Sequence, residues 1–135
     1  MPINKNLQGG CLCGKIRYEI TGTEFDSDYC HCSQCRLSVG AIVVCWMDFK
    51  IEQITWLYNK PKEYLSTDKV HRGFCENCGC SISFRHINHP DYFSLTNASL
   101  DNPNSVMPRY HIYTDDKVKW LKIDDACKRY KKQRK

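Results

Sequence analysis

Seven of the ten cysteines in this 135-residue chain lie in three short clusters, and these clusters constrain the fold more than any other feature. They are Cys11 and Cys13, then Cys30, Cys32 and Cys35, then Cys75 and Cys78. Thiolates two or three residues apart can converge on one small tetrahedral ion, and soft sulfur ligands select zinc or iron over hard cations. The sequence therefore predicts a fold organised around bound metal, which we expect to be zinc.

These seven cysteines can be divided into a group of four and a group of three. A closed structural zinc site takes four protein ligands, whereas a catalytic zinc takes three and keeps one position open. Cys30, Cys32 and Cys35 form one contiguous trio, which leaves the two outer pairs for a four-cysteine site. A competing assignment joins Cys32 and Cys35 to the Cys75–Cys78 pair as a zinc ribbon. Spacing alone leaves both assignments open.

The N-terminal residues and the longest apolar stretch indicate the cellular compartment. The first ten residues, MPINKNLQGG, hold no apolar run of the kind that a secretory signal needs. The longest mostly apolar stretch, residues 39–49, is about half the length of a membrane span. Cysteine-rich chains without a secretory context are more often metal-binding than disulfide-bonded. We therefore expect a reduced, cytoplasmic protein with no membrane partner.

The formal net charge of +5 comes from the C-terminus. Six of the twenty basic residues lie in the last eight, KRYKKQRK, which leaves fourteen basic against fifteen acidic residues in 1–127. A terminal basic block is typical of a frayed, solvated tail. We expect a single domain over residues 1–127, a basic tail over 128–135, and no nucleic-acid partner.

The apolar pattern predicts strands. Residues 15–20 alternate, which places Ile16, Tyr18 and Ile20 on one face. Residues 41–49 are apolar on both faces, as in a central strand. Further candidate strands are 51–56, 63–67, 70–74, 81–87, 92–96 and 109–113, and residues 33–39 could form a helical turn. Short strands between turn signals predict an all-β, mostly antiparallel fold.

Three segments resemble a known family. Residues 10–18 (GCLCGKIRY), 30–36 (CHCSQCR) and 72–79 (RGFCENCG) are similar to the signature segments of the glutathione-dependent formaldehyde-activating enzyme family, also called centromere protein V-like. His111 and Trp120 resemble its C-terminal segment. The resemblance covers about residues 8–122. It implies a zinc-bound β-rich fold like that of Rab-binding guanine nucleotide release factors and B-type methionine sulfoxide reductases. It also implies structural zinc on the outer cysteine pairs and catalytic zinc on the trio.

A zinc ion with three thiolates is suited to thiol chemistry. Three thiolates over-neutralise the dication, so the metal activates water poorly and accepts a fourth soft ligand. At a pKa near 8.5, only about 3% of a free thiol is ionised at pH 7, and coordination deprotonates it. We expect a carbon–sulfur lyase that adds a glutathione-like thiol reversibly to a small, formaldehyde-like aldehyde. The alternatives are a non-enzymatic zinc-binding interaction module and a redox enzyme on the same fold.

Other residues near the clusters are candidates for supporting roles. His31, between two of the trio, is a candidate proton donor, although the middle side chain of an extended C-x-C points away from both ligands. Arg36 and Arg72 flank ligand clusters and could pair with substrate carboxylates, which arginine binds bidentately. His111, Cys45 and Cys80 are interpreted as packed residues.

Overall fold

A computed structural model describes residues 6–134. Within that range the chain forms eleven strands, one short α-helix and four single-turn 3-10 helices. The strands are β1 (Leu7–Gly10), β2 (Arg17–Ile20), β3 (Asp26–Cys30), β4 (Val44–Lys50), β5 (Ile54–Trp56), β6 (Lys62–Leu65), β7 (Val70–Phe74), β8 (Ser81–His86), β9 (Tyr92–Thr96), β10 (Tyr110–Ile112) and β11 (Lys128–Arg129), and helix α1 is Ser33–Val39. No helix in residues 6–134 is long and apolar enough to cross a membrane.

The strands form two sheets. The small sheet has the order β1-β2-β5, and the large sheet has the order β11-β10-β3-β4-β9-β8-β7-β6. Neighbouring strands are antiparallel except β10, which runs parallel to β3 on one side and to β11 on the other. The prediction of an all-β, mostly antiparallel fold is confirmed.

The core lies on both faces of the large sheet. Tyr18 and Ile20 of the small sheet are fully buried and pack with Met47 and Phe49 of β4. Trp46, one residue along β4, belongs to a second cluster that includes Cys30 and Cys35. Because successive residues of a strand point to opposite faces, β4 is buried on both sides. The second cluster brings the cysteine trio into the hydrophobic interior.

Helix α1 connects β3 to β4 and carries part of the trio. The Cys32 side chain caps its N-terminus by accepting a hydrogen bond from the Cys35 backbone N–H, at 3.3 Å. Gly40 ends the helix with a left-handed φ of +75°, a conformation that glycine adopts without steric cost. The predicted helical turn over 33–39 is confirmed.

Some strand predictions were wrong. Residues 51–53, predicted as strand, form a 3-10 helix before β5. Strands β1 and β3 were not predicted because LQGG and DSDYC are rich in glycine and aspartate, which strands disfavour. Both strands form because β2 and β4 supply the hydrogen-bonding partners.

The prediction of a frayed C-terminal tail was also wrong for residues 128–132. Strand β11 pairs with β10, and the backbone N–H groups of Tyr113 and Thr114 donate to carbonyls of Lys132 and Tyr130. The Tyr130 ring packs edge-on against Tyr110, with 5.6 Å between centroids. Apolar contact and strand pairing therefore attach residues 128–132 to the edge of the large sheet. We call residues 121–134, which include them, the C-terminal strap.

Replacing Tyr130 with alanine should lower the free energy of unfolding by about 1–3 kcal/mol, because the ring is half-buried in the trio's cluster. Urea unfolding followed by fluorescence measures the change. The matched control is Tyr58→Ala, since Tyr58 is 73% exposed, and it should stay within about 0.5 kcal/mol of wild type. Equal midpoints for the two variants would contradict a docked strap.

Candidate metal centres

The outer cysteine pairs meet in one group of four. Cys11 and Cys13 follow β1, Cys75 and Cys78 lie between β7 and β8, and all four Sγ atoms lie within 4.8 Å of one another. Two tight turns make this possible. Gly14 and Gly79 take left-handed φ values of +83° and +79°, so each turn reverses just beyond its ligands.

The trio forms a second group. Cys30 ends β3, Cys32 caps α1 and Cys35 lies in its first turn, and their Sγ atoms also lie within 4.8 Å of one another. Cys30 and Cys35 are buried and Cys32 is half-buried. The division into four and three is confirmed, and the alternative ribbon of Cys32 and Cys35 with the Cys75–Cys78 pair is wrong.

Both groups fit a metal that prefers sulfur. Each offers sulfur atoms alone, close enough to share one ion, and soft thiolates favour such ions over hard cations. The group of four can complete a tetrahedral shell, whereas the group of three leaves one position for an outside ligand. The two groups therefore differ in the number of protein ligands that each can offer a metal ion.

Arg72 supplies the positive charge beside the trio. It is 4% exposed, and both Nη atoms lie 3.8 Å from Cys35 Sγ. Its Nε donates to Ser66 Oγ at 3.3 Å, and its guanidinium lies over the Phe84 ring at 5.1 Å. The structure thus directs this side chain at the thiolate cluster, where it offsets negative charge. Arg36, on α1, makes no side-chain hydrogen bond with residues 6–134 and is half-buried.

A cavity of about 240 Å³ adjoins the trio through Arg72. Hydroxyl groups and aromatic rings line much of it, and Ser38 Oγ lies 3.4 Å from Tyr64 OH. Its lining residues are Ser38, Val39, Trp46, Tyr64, Arg72, Gly73, Phe74, Gly79, Ser81 and Ser83. A larger cavity of about 480 Å³ is lined by strands β5, β6, β8 and β9. Neither cavity has a cysteine in its wall, but the smaller one includes Arg72, which contacts Cys35.

His31 does not face the trio. Its ring contacts His111, which stacks on Tyr29, so it lies on the sheet face opposite Cys30. Burial lowers the pKa of His31 to about 4, so the imidazole is neutral near pH 7. A direct role as proton donor is not supported by this position. His111 is buried, in agreement with its interpretation as a packed histidine.

Three aspartates share the sheet face of Cys30. Asp26 and Asp28 precede it on β3 at alternate positions, and Asp48 is the β4 partner of Asp26. Burial, with repulsion from neighbouring aspartates, raises the pKa of Asp28 to about 8. Burial raises the pKa of Asp48 to about 6, although Ser94 donates a hydrogen bond to its carboxylate at 2.6 Å. No sequence signal marked this acidic group.

The remaining cysteines lie outside both groups. Burial raises the pKa of Cys45 to about 11, which keeps that thiol protonated and inert near neutral pH. Cys80 donates weakly to the Ser81 carbonyl, at 3.7 Å, and Cys127 to that of Pro108, at 3.8 Å. These residues therefore pack and do not extend the metal groups.

Comparison with known proteins agrees with this geometry. The sequence profile of the glutathione-dependent formaldehyde-activating enzyme family matches residues 6–116, well over half of the chain. The chain belongs to this family. The resemblance inferred from the cysteine motifs is confirmed, and the match contains both cysteine groups but ends before the C-terminal strap begins.

Two individual proteins are similar to this family member. One, from Schizosaccharomyces pombe, carries the name of an uncharacterized lyase and is 28% identical over 81 residues, which is 60% of this chain and 58% of that protein. The chain therefore spans less than two thirds of that relative. A Rhodobacter sphaeroides protein of known crystal structure has the same fold, with a TM-score of 0.56 and 23% identity over 73% of this chain and 93% of that one.

Elemental mass spectrometry of the untagged protein should find two metal ions per chain. A variant with Cys30, Cys32 and Cys35 changed to alanine should hold one and keep its circular dichroism spectrum, because the group of four lies apart from the change. The variant also carries Arg72→Met, so that no buried cation is left unpaired. One ion in both proteins would contradict two independent centres.

The raised pKa of Asp48 predicts a pH dependence of stability. The folded state favours the neutral form of this carboxyl. Its contribution to the free energy of unfolding is therefore greatest below about pH 4 and is lost as pH rises through about 6. The unfolding free energy of wild type, minus that of Asp48→Asn, should fall by up to about 3 kcal/mol across this window. Asp68→Asn, which removes an exposed carboxyl, is the control for the loss of one charge, and a flat curve for Asp48→Asn would contradict the prediction.

Proposed function

We propose that this protein is a zinc-dependent carbon–sulfur lyase that adds a glutathione-like thiol reversibly to a small aldehyde such as formaldehyde. The observation that carries the proposal is the trio of cysteines, arranged with one position free and joined by Arg72 to a cavity. Membership of the family, and the lyase name of the yeast relative, support the reaction class.

The metal would be held by Cys30, Cys32 and Cys35. A zinc ion bound there supplies a fourth position at which a soft substrate ligand is deprotonated near neutral pH. Three thiolates and one dication carry a net charge of −1, and the Arg72 guanidinium offsets it inside a buried site. Arg72 therefore keeps the cluster from repelling an incoming anionic sulfur.

The cavity would orient the two reactants. Ser38, Tyr64 and Ser81 offer hydroxyl groups for the polar parts of a thiol or for the carbonyl oxygen of the aldehyde. Trp46 and Phe74 give apolar walls that reduce access of water. Holding the thiol sulfur close to the carbonyl carbon converts a bimolecular addition into one within a complex, which is the main source of acceleration available here.

The remaining assignments follow from the same site. Arg36 is the candidate contact for a substrate carboxylate, because Arg72 is already occupied with Cys35. Free thiols in every cluster suit a reducing compartment, and we place the protein in the cytoplasm. Its partners are then small molecules, a thiol and an aldehyde.

Exchange spectroscopy by NMR on mixtures of glutathione and formaldehyde tests the activity. The zinc-loaded protein should increase the rate at which the S-hydroxymethyl adduct exchanges with its components, in proportion to protein concentration. An exchange rate that is the same with and without protein, at several concentrations, would exclude this reaction for this pair of substrates.

Two arginine variants separate the roles given to the cations. Arg72→Met should lower the catalysed exchange rate at saturating thiol by about tenfold or more, because the trio's negative charge is then uncompensated. Arg36→Met should raise the half-saturating glutathione concentration and leave the maximal rate unchanged. A maximal rate in Arg72→Met equal to that of wild type would remove this residue from the site.

A further inference from the structure

A buried chain of hydrogen bonds runs from the C-terminal strap to the loop that carries the trio. Asp125 Oδ2 lies 3.0 Å from His111 Nε2, and His111 Nδ1 lies 2.8 Å from His31 Nε2. Both histidines are 1% exposed, and the Tyr29 ring stacks on His111 at 4.4 Å between centroids. Water therefore cannot replace these bonds, and losing one would leave a buried polar group unpaired.

The Asp125 carboxylate determines which atoms donate and which accept in this chain of hydrogen bonds. Burial alone would raise the pKa of Asp125, but hydrogen bonds from His111, Arg129 and the Cys127 backbone N–H together lower it to about 2. An ionised carboxylate only accepts, so His111 Nε2 donates to it. His111 Nδ1 and His31 Nε2 then share the remaining bond. His31 Nδ1 is buried and has no partner within residues 6–134, so the ring is held from one side alone.

The His31 ring anchors the backbone between two of the ligands. His31 lies between Cys30 and Cys32, and its backbone N–H also donates to the Ile112 carbonyl of β10, at 3.1 Å. Cys32 in turn caps the helix that presents Cys35. A backbone shift at His31 would therefore displace Cys30 and Cys32 and disturb the cap of that helix.

Asp125 comes from outside the family-matched region, which ends at residue 116. The Arg129 guanidinium donates a hydrogen bond to Asp125 Oδ1, and the Cys127 backbone N–H donates to the same atom at 3.0 Å. Strand β11 fixes the strap beside β10. Contacts within the strap therefore orient the carboxylate toward His111. In zinc proteins, partners that orient the ligands contribute about 10- to 100-fold to metal affinity or activity.

We propose that Asp125 is a positioning residue for the three-cysteine centre, acting through His111 and His31 to fix the loop that carries Cys30 and Cys32. This inference rests on metal binding at the trio, as in the proposed function, and not on the thiol–aldehyde reaction. Its consequence is that the strap controls how firmly the trio holds its metal, while the group of four is unaffected.

Cobalt(II) provides the test, because its thiolate complexes absorb visible light and report each centre. The full-length protein is loaded with two cobalt ions and mixed with excess EDTA, and the loss of absorption is followed over time. A Cys35→Ser variant identifies the kinetic phase that belongs to the trio. In Asp125→Asn that phase should be about 10- to 100-fold faster and its visible spectrum shifted, whereas the other phase should be unchanged.

The neighbouring residue gives a matched control. Asp124→Asn removes the same charge from an exposed position and should release both ions at the wild-type rates. If Asp125→Asn does not fold, Asp125→Glu displaces the carboxylate by one methylene and should accelerate the same phase to a smaller degree. Release rates equal to wild type in a folded variant, or equal acceleration of both phases, would overturn the proposal.

The experiment is independent of catalysis. A wild-type protein that retains two cobalt ions but does not accelerate adduct exchange would refute the proposed reaction. The cobalt release rates of Asp125→Asn would still decide the role of Asp125. Failure of the wild type to hold a second cobalt ion would overturn both.

Discussion

The convergence of distant thiols is the constraint on which the rest of this structure depends. Cys11 and Cys13 follow a strand of the small sheet and meet Cys75 and Cys78, which lie between two strands of the large sheet. Cys13 and Cys75 are 62 residues apart in the sequence. Cys11 and Cys75 belong to the same buried cluster in which the small sheet covers Met47. Since structural zinc contributes about 10–16 kcal/mol of apparent binding free energy in zinc-finger peptides, such a cross-link can decide whether a domain of this size folds.

The cysteine trio depends on a different balance, one of charge. Three thiolates in a hydrophobic cluster need a nearby cation, and Arg72 reaches Cys35 from β7 while its face packs on Phe84. The same guanidinium forms part of the wall of the smaller cavity. Compensation of the trio's charge and the wall of the cavity therefore depend on one buried side chain, at a residue that the sequence indicated as a contact for a substrate carboxylate.

The sequence predicted what depends on spacing and alternation. The cysteine motifs identified the seven candidate ligands, although spacing alone left their division open, and the apolar run of residues 41–49 located β4, because such a run records burial directly. It did not predict β3 or β11, whose polar residues become strands only when β4 and β10 pair with them. Asp125 was missed for the same reason: nothing local distinguishes it from Asp124, and only the sheet order brings it to His111. The basic tail was misread because Tyr130 packs on a residue 20 positions away.

The two cysteine groups also differ in how much of the sheet surrounds them. The four-cysteine group and strands β1 to β9 lie within residues 7–96. The loop of the trio is bordered by β10, which pairs with β3 and brings His111 to His31, 80 residues away. Asp125 reaches His111 through the strap, which β11 pairs with β10. The surroundings of the trio are therefore assembled from contacts of longer sequence separation than those that bring the group of four together.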